Sequence, residues 1–392
     1  MNRPIGKTVV VVCGLLLRFA VFSSLTWNAV DYISTKIDFA TPISAYPRIM
    51  EGIFRLKNEI EPYSDDYLHV SPILMSILRF TASDPTCQFL ALVFVDTITA
   101  WTLMGLFEDL YLLAGMSFFF NPFTIVSPAS LSIGGVSALS MTALLHAAIR
   151  KRSTGACAVL IALCAIVNPI SPLFLVFPVS VVLGNSLGAL TWRTLLCYTG
   201  FHLLSFTLTG FSFSYFYSTV VSPLMVSNDT LPNFGLTWNI FSSLFKQQTR
   251  IFQIFFATFH LLIIVPTYMR FSSTPYSIET KERYLVLIVC FILLFQSYPT
   301  AIDFCLVISL ILTADEQRYH NMITRFFPLV MFAVMVLSSV MGVVYVERAQ
   351  GTPSFLFNIN AISVMAGSIS IANGLKLARL DGYIPKEKVK KL

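Results

Sequence analysis

Charge is what this sequence has least of: only 12% of its 392 residues are Asp, Glu, Lys or Arg, against about a quarter in a soluble domain. With 56% hydrophobic residues and a mean hydropathy of +0.75, that shortage excludes a soluble globular protein and leaves a polytopic membrane protein. Long polar linkers, low-complexity runs and any soluble-domain-sized insertion are also missing. Cysteines are few and badly placed for disulfides. Cys13, Cys157, Cys164, Cys197, Cys290 and Cys305 fall in apolar stretches, and only Cys87 sits near an interface. The net charge of +6 follows from a basic tail and basic loops, so nucleic acid is not an expected partner. The first apolar run follows Arg3 and Lys7 without a small-residue cleavage site, and it reads as a retained span.

Catalytic signatures are equally scarce. The sequence holds no phosphate loop, no dinucleotide fingerprint, no HExxH and no cysteine–histidine set of a protease. No metal or cofactor is expected. The adjacent acids Asp65 and Asp66 are the one feature suited to a metal or a glycosyl donor. Two neighbouring carboxylates supply too few ligands for a hard cation, and acids in a Pro-Tyr-Ser turn are commonly solvated.

What is present is a succession of apolar spans. They fall at roughly 8–27, 87–106, 110–128, 131–149, 155–169 and 172–190, then at roughly 194–217, 251–270, 284–298, 301–314, 326–346 and 355–375. An all-α bundle of about 12 transmembrane helices is expected, forming a single transmembrane domain over residues 1–392. An even number puts both termini on one side. Lys and Arg bias that side to the cytosol through Arg150, Lys151, Arg152, Arg193, Arg270, Lys281 and Arg283.

Two longer connections then face the lumen, a first loop over 28–86 and a second over 218–250. The stretch Thr41–Leu74 in the first carries charges of both signs, a histidine and four prolines. Such a segment cannot lie in hydrocarbon. One or two short helices capping the bundle are expected there. The second loop contains the sequon Asn228-Asp229-Thr230. At the other end, Lys388 and Lys390 match the spacing of a lysine-based retrieval signal for the endoplasmic reticulum, and equally suit attraction to anionic lipid.

Polar groups inside the spans are the informative ones. Asp96, Asp303 and Arg18 sit in apolar surroundings, where each needs a partner, a cavity or the interface. Asp96 suits an interhelical hydrogen bond, and Arg18 suits snorkelling to the surface. In the last span Asn360, Ser363, Gly367, Ser370 and Gly374 recur at helical spacing, with Asn358 beside them. Small residues in a stripe allow another helix to approach closely. The amides of Asn358 and Asn360 are also suitable donors and acceptors for a phosphate or sugar headgroup.

Six blocks together carry a resemblance: FATPISAYPRIMEGI, EPYSDDYLHVSPIL, FVDTITA, FFFNPFTIVSP, LPNFGLTWNIFSSLF and QSYPTAIDFCL. Their content and order resemble the phosphatidylinositol glycan class U family, a membrane subunit of the glycosylphosphatidylinositol (GPI) transamidase complex. The resemblance implies a non-catalytic subunit of the endoplasmic reticulum membrane, with a scaffold similar to multi-span lipid-sugar glycosyltransferases. It implies binding of the GPI lipid and its presentation to a separate cysteine-protease-like subunit. Asn358, Asn360, His69 and Asp303 are the expected GPI-binding residues. The Pro-Tyr followed by His-x-x-Pro is also similar to GPI mannosyltransferases. That alternative is an enzyme using a dolichol-linked sugar, with Asp65 or Asp66 as base or metal ligand.

Overall fold

The computed structural model describes residues 3–65, 67–168, 171–210, 212–224, 231–316 and 322–381. Asp66, the sequon at Asn228 and the lysines Lys388 and Lys390 lie outside the described residues. Within them the chain is helical and has no strand. The first helix, α1 (Arg3–Ser24), leads into a layer of three short helices, α2 (Trp27–Ser34), α3 (Tyr46–Lys57) and α4 (Pro72–Thr81). Thr41–Leu74, where one or two were expected, holds α3 and the start of α4; α2 precedes that stretch, capped by Thr26, which accepts from the Ala29 amide. Next come α5 (Pro85–Leu106), α6 (Tyr111–Phe119), α7 (Pro122–Val126), α8 (Gly134–His146) and α9 (Thr154–Val167). They are followed by α10 (Val176–Leu183), α11 (Leu187–Leu208) and the single turns α12 (Ser214–Phe216) and α13 (Ser222–Leu224). The last six are α14 (Thr237–Ser243), α15 (Lys246–Ser273), α16 (Ile278–Phe295), α17 (Ala301–Glu316), α18 (Met322–Gly342) and α19 (Pro353–Asp381).

The starts are written locally. Asp84 accepts from the Thr86 amide with Pro85 opening α5, and Asn121 with Pro122 does the same for α7. A proline at the first position loses nothing, because that amide has no intrahelical partner. Several boundaries differ from the expected spans, most plainly that between α10 and α11. The turn after α10 falls at Gly184, whose φ of 67° is the left-handed conformation that ends helices, so α11 begins at Leu187.

Among the described residues five helices are long and apolar enough to cross a membrane: Ile5–Ser24, Pro85–Leu106, Gln247–Ser273, Phe326–Glu347 and Pro353–Leu380. A sixth crossing arises if Tyr111–Phe119 and Pro122–Ser130, bent by 58°, count as one span. Others are apolar but short, among them Thr154–Val167, Ser171–Leu183 and Ala301–Ala314. At 1.5 Å per residue such helices fall short of a full hydrocarbon thickness. Their ends therefore leave a recess inside the bundle.

Two faces are recognisable from side-chain bridges. On one, Arg150 donates to the carbonyl of Leu106, Arg152 pairs with Glu282 at 2.8 Å, and Arg193 donates to Thr154. On the other, Tyr32 and Lys36 both bond Glu347 beyond the end of α18, while Ser212 and Ser214 both donate to Glu61. α16 is the central helix, with every residue from Tyr284 to Leu294 buried. α19 reaches it through its stripe of small residues. A Cβ on Gly367 would come within 2.4 Å of Leu294, and one on Gly374 within 2.9 Å of Leu287.

Arg18 does not snorkel. It is fully buried, its Nε 3.5 Å from Asp96 Oδ2. It also donates to the carbonyls of Gly14, Phe119 and Thr124 and lies over the Phe119 ring. Asp96 and three carbonyls supply the partners that a buried guanidinium requires. The pair thus ties α1 to α5 and to the bend between α6 and α7.

Candidate functional site

The recess left by the short helices is where three of the sequence blocks meet, those that hold Thr41, Ser71 and Asp303. α9 ends at Val167, just before Asn168, α16 ends at Phe295, and α8 and α17 begin at Gly134 and Ala301. Helix ends leave backbone groups without partners, and polar residues from the connecting loops supply them. The amide of Ala301 donates to the carbonyl of Asp38, and the amide of Ile133 to that of Ser44. Ser44 and Ser132 both donate to the carbonyl of Phe39. The first loop is thereby fastened to the starts of α8 and α17.

At the floor lies Asp303, 1% exposed, in the first turn of α17. Four donors converge on it. Ser137 Oγ reaches Oδ1 at 3.0 Å, while Oδ2 accepts from Gln296 Nε2 at 2.7 Å, the Thr300 amide at 2.8 Å and Thr300 Oγ1 at 2.9 Å. A carboxylate at a helix N-terminus is also favoured by the helix dipole. Asn168 extends the network by donating to Ser137 Oγ at 2.6 Å. Thr41, Ser44, Ser71 and Tyr298 complete the polar wall.

A second narrow cleft shares Ile43, Asn168 and Tyr298 with the first and is closed by His260 from α15. His260 is 4% exposed and packs against Phe174, Phe259 and Phe291. Its Nε2 has no hydrogen-bond partner among the described residues. Each cleft has a volume of about 20 Å³, room for a single water-sized group. No lysine or arginine lines either one.

The four expected residues lie in different settings. Asp303 forms the floor. His69 is buried beside the recess, its Nδ1 2.6 Å from the carbonyl of Ser218, and its neighbours Val70 and Ser71 line the wall. The last two are separated by the helix they share, since positions two apart point to different faces. Asn360 is fully buried: it donates to the carbonyl of Asn233 at 2.8 Å and accepts from Ser338 at 2.8 Å. Asn358 is exposed. The LPNFG loop that Asn360 grips also holds the recess. The Gly235 amide donates to Asn233 Oδ1, Thr237 donates to the carbonyl of Ser297, and Phe234 packs on Phe304.

Ser137, Asn168, Gln296, Thr300 and His260 were not singled out from sequence. An asparagine directly before Pro169 was the available signal for Asn168, while Gln296 only follows the end of α16, three residues before Pro299. Asp65 lies on the surface, paired with Arg55 at 2.8 Å. Among the described residues no three His, Cys, Asp or Glu side chains are grouped to hold a metal ion.

Outside the recess, Asp38 lies buried where the first loop meets α18, accepting from Ser339 at 2.9 Å. Burial pushes its pKa up to about 6, against the opposing pull of the Ser339 hydroxyl and of Lys36.

Comparison with known proteins places these features in a family. The family model described as "GPI transamidase subunit PIG-U" matches residues 12–362, which include all six sequence blocks. The GPI transamidase component GAB1 homolog of Schizosaccharomyces pombe is 26% identical, over 91% of this chain and 90% of its own length. GPI transamidase component GAB1 of Saccharomyces cerevisiae is 23% identical over 96% of each chain. The human GPI-anchor transamidase component PIGU is 22% identical over 76% of each. The chain belongs to the PIG-U family and is a membrane-embedded, accessory subunit of the GPI transamidase.

Proposed function

We propose that this subunit binds the GPI lipid in the endoplasmic reticulum membrane and presents it for attachment to precursor proteins. The acyl chains lie against the Phe-rich helices. The glycan meets the first luminal loop, the rim of the recess over Asp303 and the exposed amide of Asn358 at the start of α19. In this reading the chain is one transmembrane domain of twelve crossings on a scaffold like that of lipid-sugar glycosyltransferases. The short helices count as crossings, and the loops over 28–86 and 218–250 face the lumen.

One observation carries the proposal. Residues distant in the chain, Thr41, Ser71, Ser137, Asn168, Tyr298 and Asp303, converge on one polar recess inside an otherwise apolar bundle. Burying so many polar groups is costly unless they are paired with one another or with a ligand. The cysteine-protease-like subunit of the complex supplies the nucleophile, and this chain supplies the lipid.

Depletion of the protein in cells tests this. Complete GPI lipid should accumulate while precursor proteins keep their C-terminal tails. Accumulation of truncated GPI intermediates instead would place the chain in glycan assembly and overturn the reading.

A further inference from the structure

Far from the recess, on the face where Arg150, Arg152 and Arg193 gather, a groove runs between α5 and α9 with α8 as its floor. Its volume is about 410 Å³, within the roughly 300–1,000 Å³ of small-molecule sites. The floor is Ala143 and Ala147, and the walls are Trp101 and Gly105 on one side, Ala156 and Leu160 on the other. Trp101 stands 49% exposed at its edge. One end is cationic. Lys151 lines it beside the His146 imidazole, and Lys7 and Arg150 lie near that ring as well. Arg150 is engaged by Leu106 and Glu108. Lys151 is exposed, Lys7 is half-buried, and neither has a partner among the described residues.

We infer that this groove holds an anionic phospholipid of the leaflet that the positive-inside bias assigns to the cytosol. An acyl chain lies along the small residues, and the phosphate is held between Lys7 and Lys151. The charge complementarity selects this occupant: a basic pocket between helices at the cytosolic surface matches an acidic headgroup. A transmembrane helix from another subunit is a poorer fit. Such a helix is about 10 Å across with side chains, and it would bury the two lysines without an anion. The site is independent of GPI recognition, which takes place on the opposite face.

The groove can be filled without disturbing the fold, because a Cβ on Gly105 would meet only His146, at 3.7 Å. The test is native mass spectrometry of the assembled transamidase in nanodiscs of equal parts phosphatidylcholine and phosphatidylserine. The wild-type complex should retain phosphatidylserine preferentially. Lys7→Gln and Lys151→Gln should each reduce that preference about fivefold, and Gly105→Leu should abolish retention in a complex that still assembles. Equal retention of both lipids by the wild type would overturn the inference, as would an unchanged preference in the double lysine variant. Lys151→Gln alters an exposed position, so it decides the matter even if Gly105→Leu fails to fold. A Trp101→Cys variant that cross-links to another subunit would place a protein in the groove and likewise overturn it.

Discussion

Ser137 and Asp303 stand 166 positions apart in the chain, yet the Ser137 hydroxyl donates to Asp303 Oδ1 at 3.0 Å. That bond joins the start of α8 to the start of α17 at the floor of the recess. Asp303 accepts only, so the recess is organised around one charge held by four donors. A site built this way has a fixed polarity before any ligand arrives, and fixed polarity lowers the ordering cost of binding.

Replacement of Asp303 with asparagine tests how far the recess depends on that charge. The new amide would turn a donor toward Gln296, Thr300 or Ser137, leaving at least one buried donor unpaired. A loss of roughly 2–4 kcal/mol is expected, read as a lower melting temperature of the solubilised protein and reduced abundance. Ser137→Ala should cost less, because Asn168 loses an acceptor while Asp303 keeps its other three donors.

Asn358 and Asn360 should behave differently despite lying two residues apart. Asn360→Leu strands the carbonyl of Asn233 and the hydroxyl of Ser338 in the interior, at about 1–3 kcal/mol for each. Subunit co-purification should fall with it. Asn358→Leu touches an exposed position and should leave stability within about 0.5 kcal/mol. If Asn358 meets the headgroup, labelled-GPI capture should weaken in a complex that assembles normally. Measuring both quantities on both variants separates packing from recognition.

His260→Phe should stabilise the protein and weaken its function. The phenyl ring keeps the contacts with Phe174, Phe259 and Phe291, and it removes a buried nitrogen that has no partner. A gain of about 1 kcal/mol follows. If the nitrogen serves the ligand, GPI capture should drop in the same variant. A variant of unaltered stability and full capture would show that His260 serves neither.

Asp38 gives stability a pH dependence of definite sign. Its folded pKa, about 6, lies above the ordinary value of 3.8. The folded state therefore binds the proton more tightly than the unfolded one, and stability falls as pH rises from about 4 to 6. The full shift is at most about 3 kcal/mol. Asp38→Asn should raise the melting temperature at pH 7 and flatten its pH profile in that window. A profile identical to wild type would remove Asp38 as the source.

Much of the bundle was legible from hydrophobic runs, because each span must be apolar over most of its length. The starts at Pro85 and Pro122 carry a local signal, a proline after a capping Asp or Asn, although the expected spans began at 87 and ran through the second. The stripe through Gly367 and Gly374 announced a close helix contact, and α16 makes it. What the sequence concealed was pairing. Arg18 and Asp96 each needed a partner, but no periodicity within one span reveals the residue opposite it in another. The recess was hidden for the same reason. Its donors are ordinary serines, threonines and amides at helix ends, and only the tertiary arrangement directs them at Asp303. Asn358 and Asn360 looked equivalent because depth is legible from sequence, whereas the face turned to a neighbour is not.

The most direct measurement of GPI presentation uses GPI lipid carrying a photoreactive group on its glycan. It would be captured by the assembled transamidase, with adducts mapped by peptide. The account predicts adducts on this chain, at the recess rim around Thr41–Ser44 and Gln296–Thr300 and at the start of α19 beside Asn358. Adducts confined to the other subunits, with none on this chain, would contradict it.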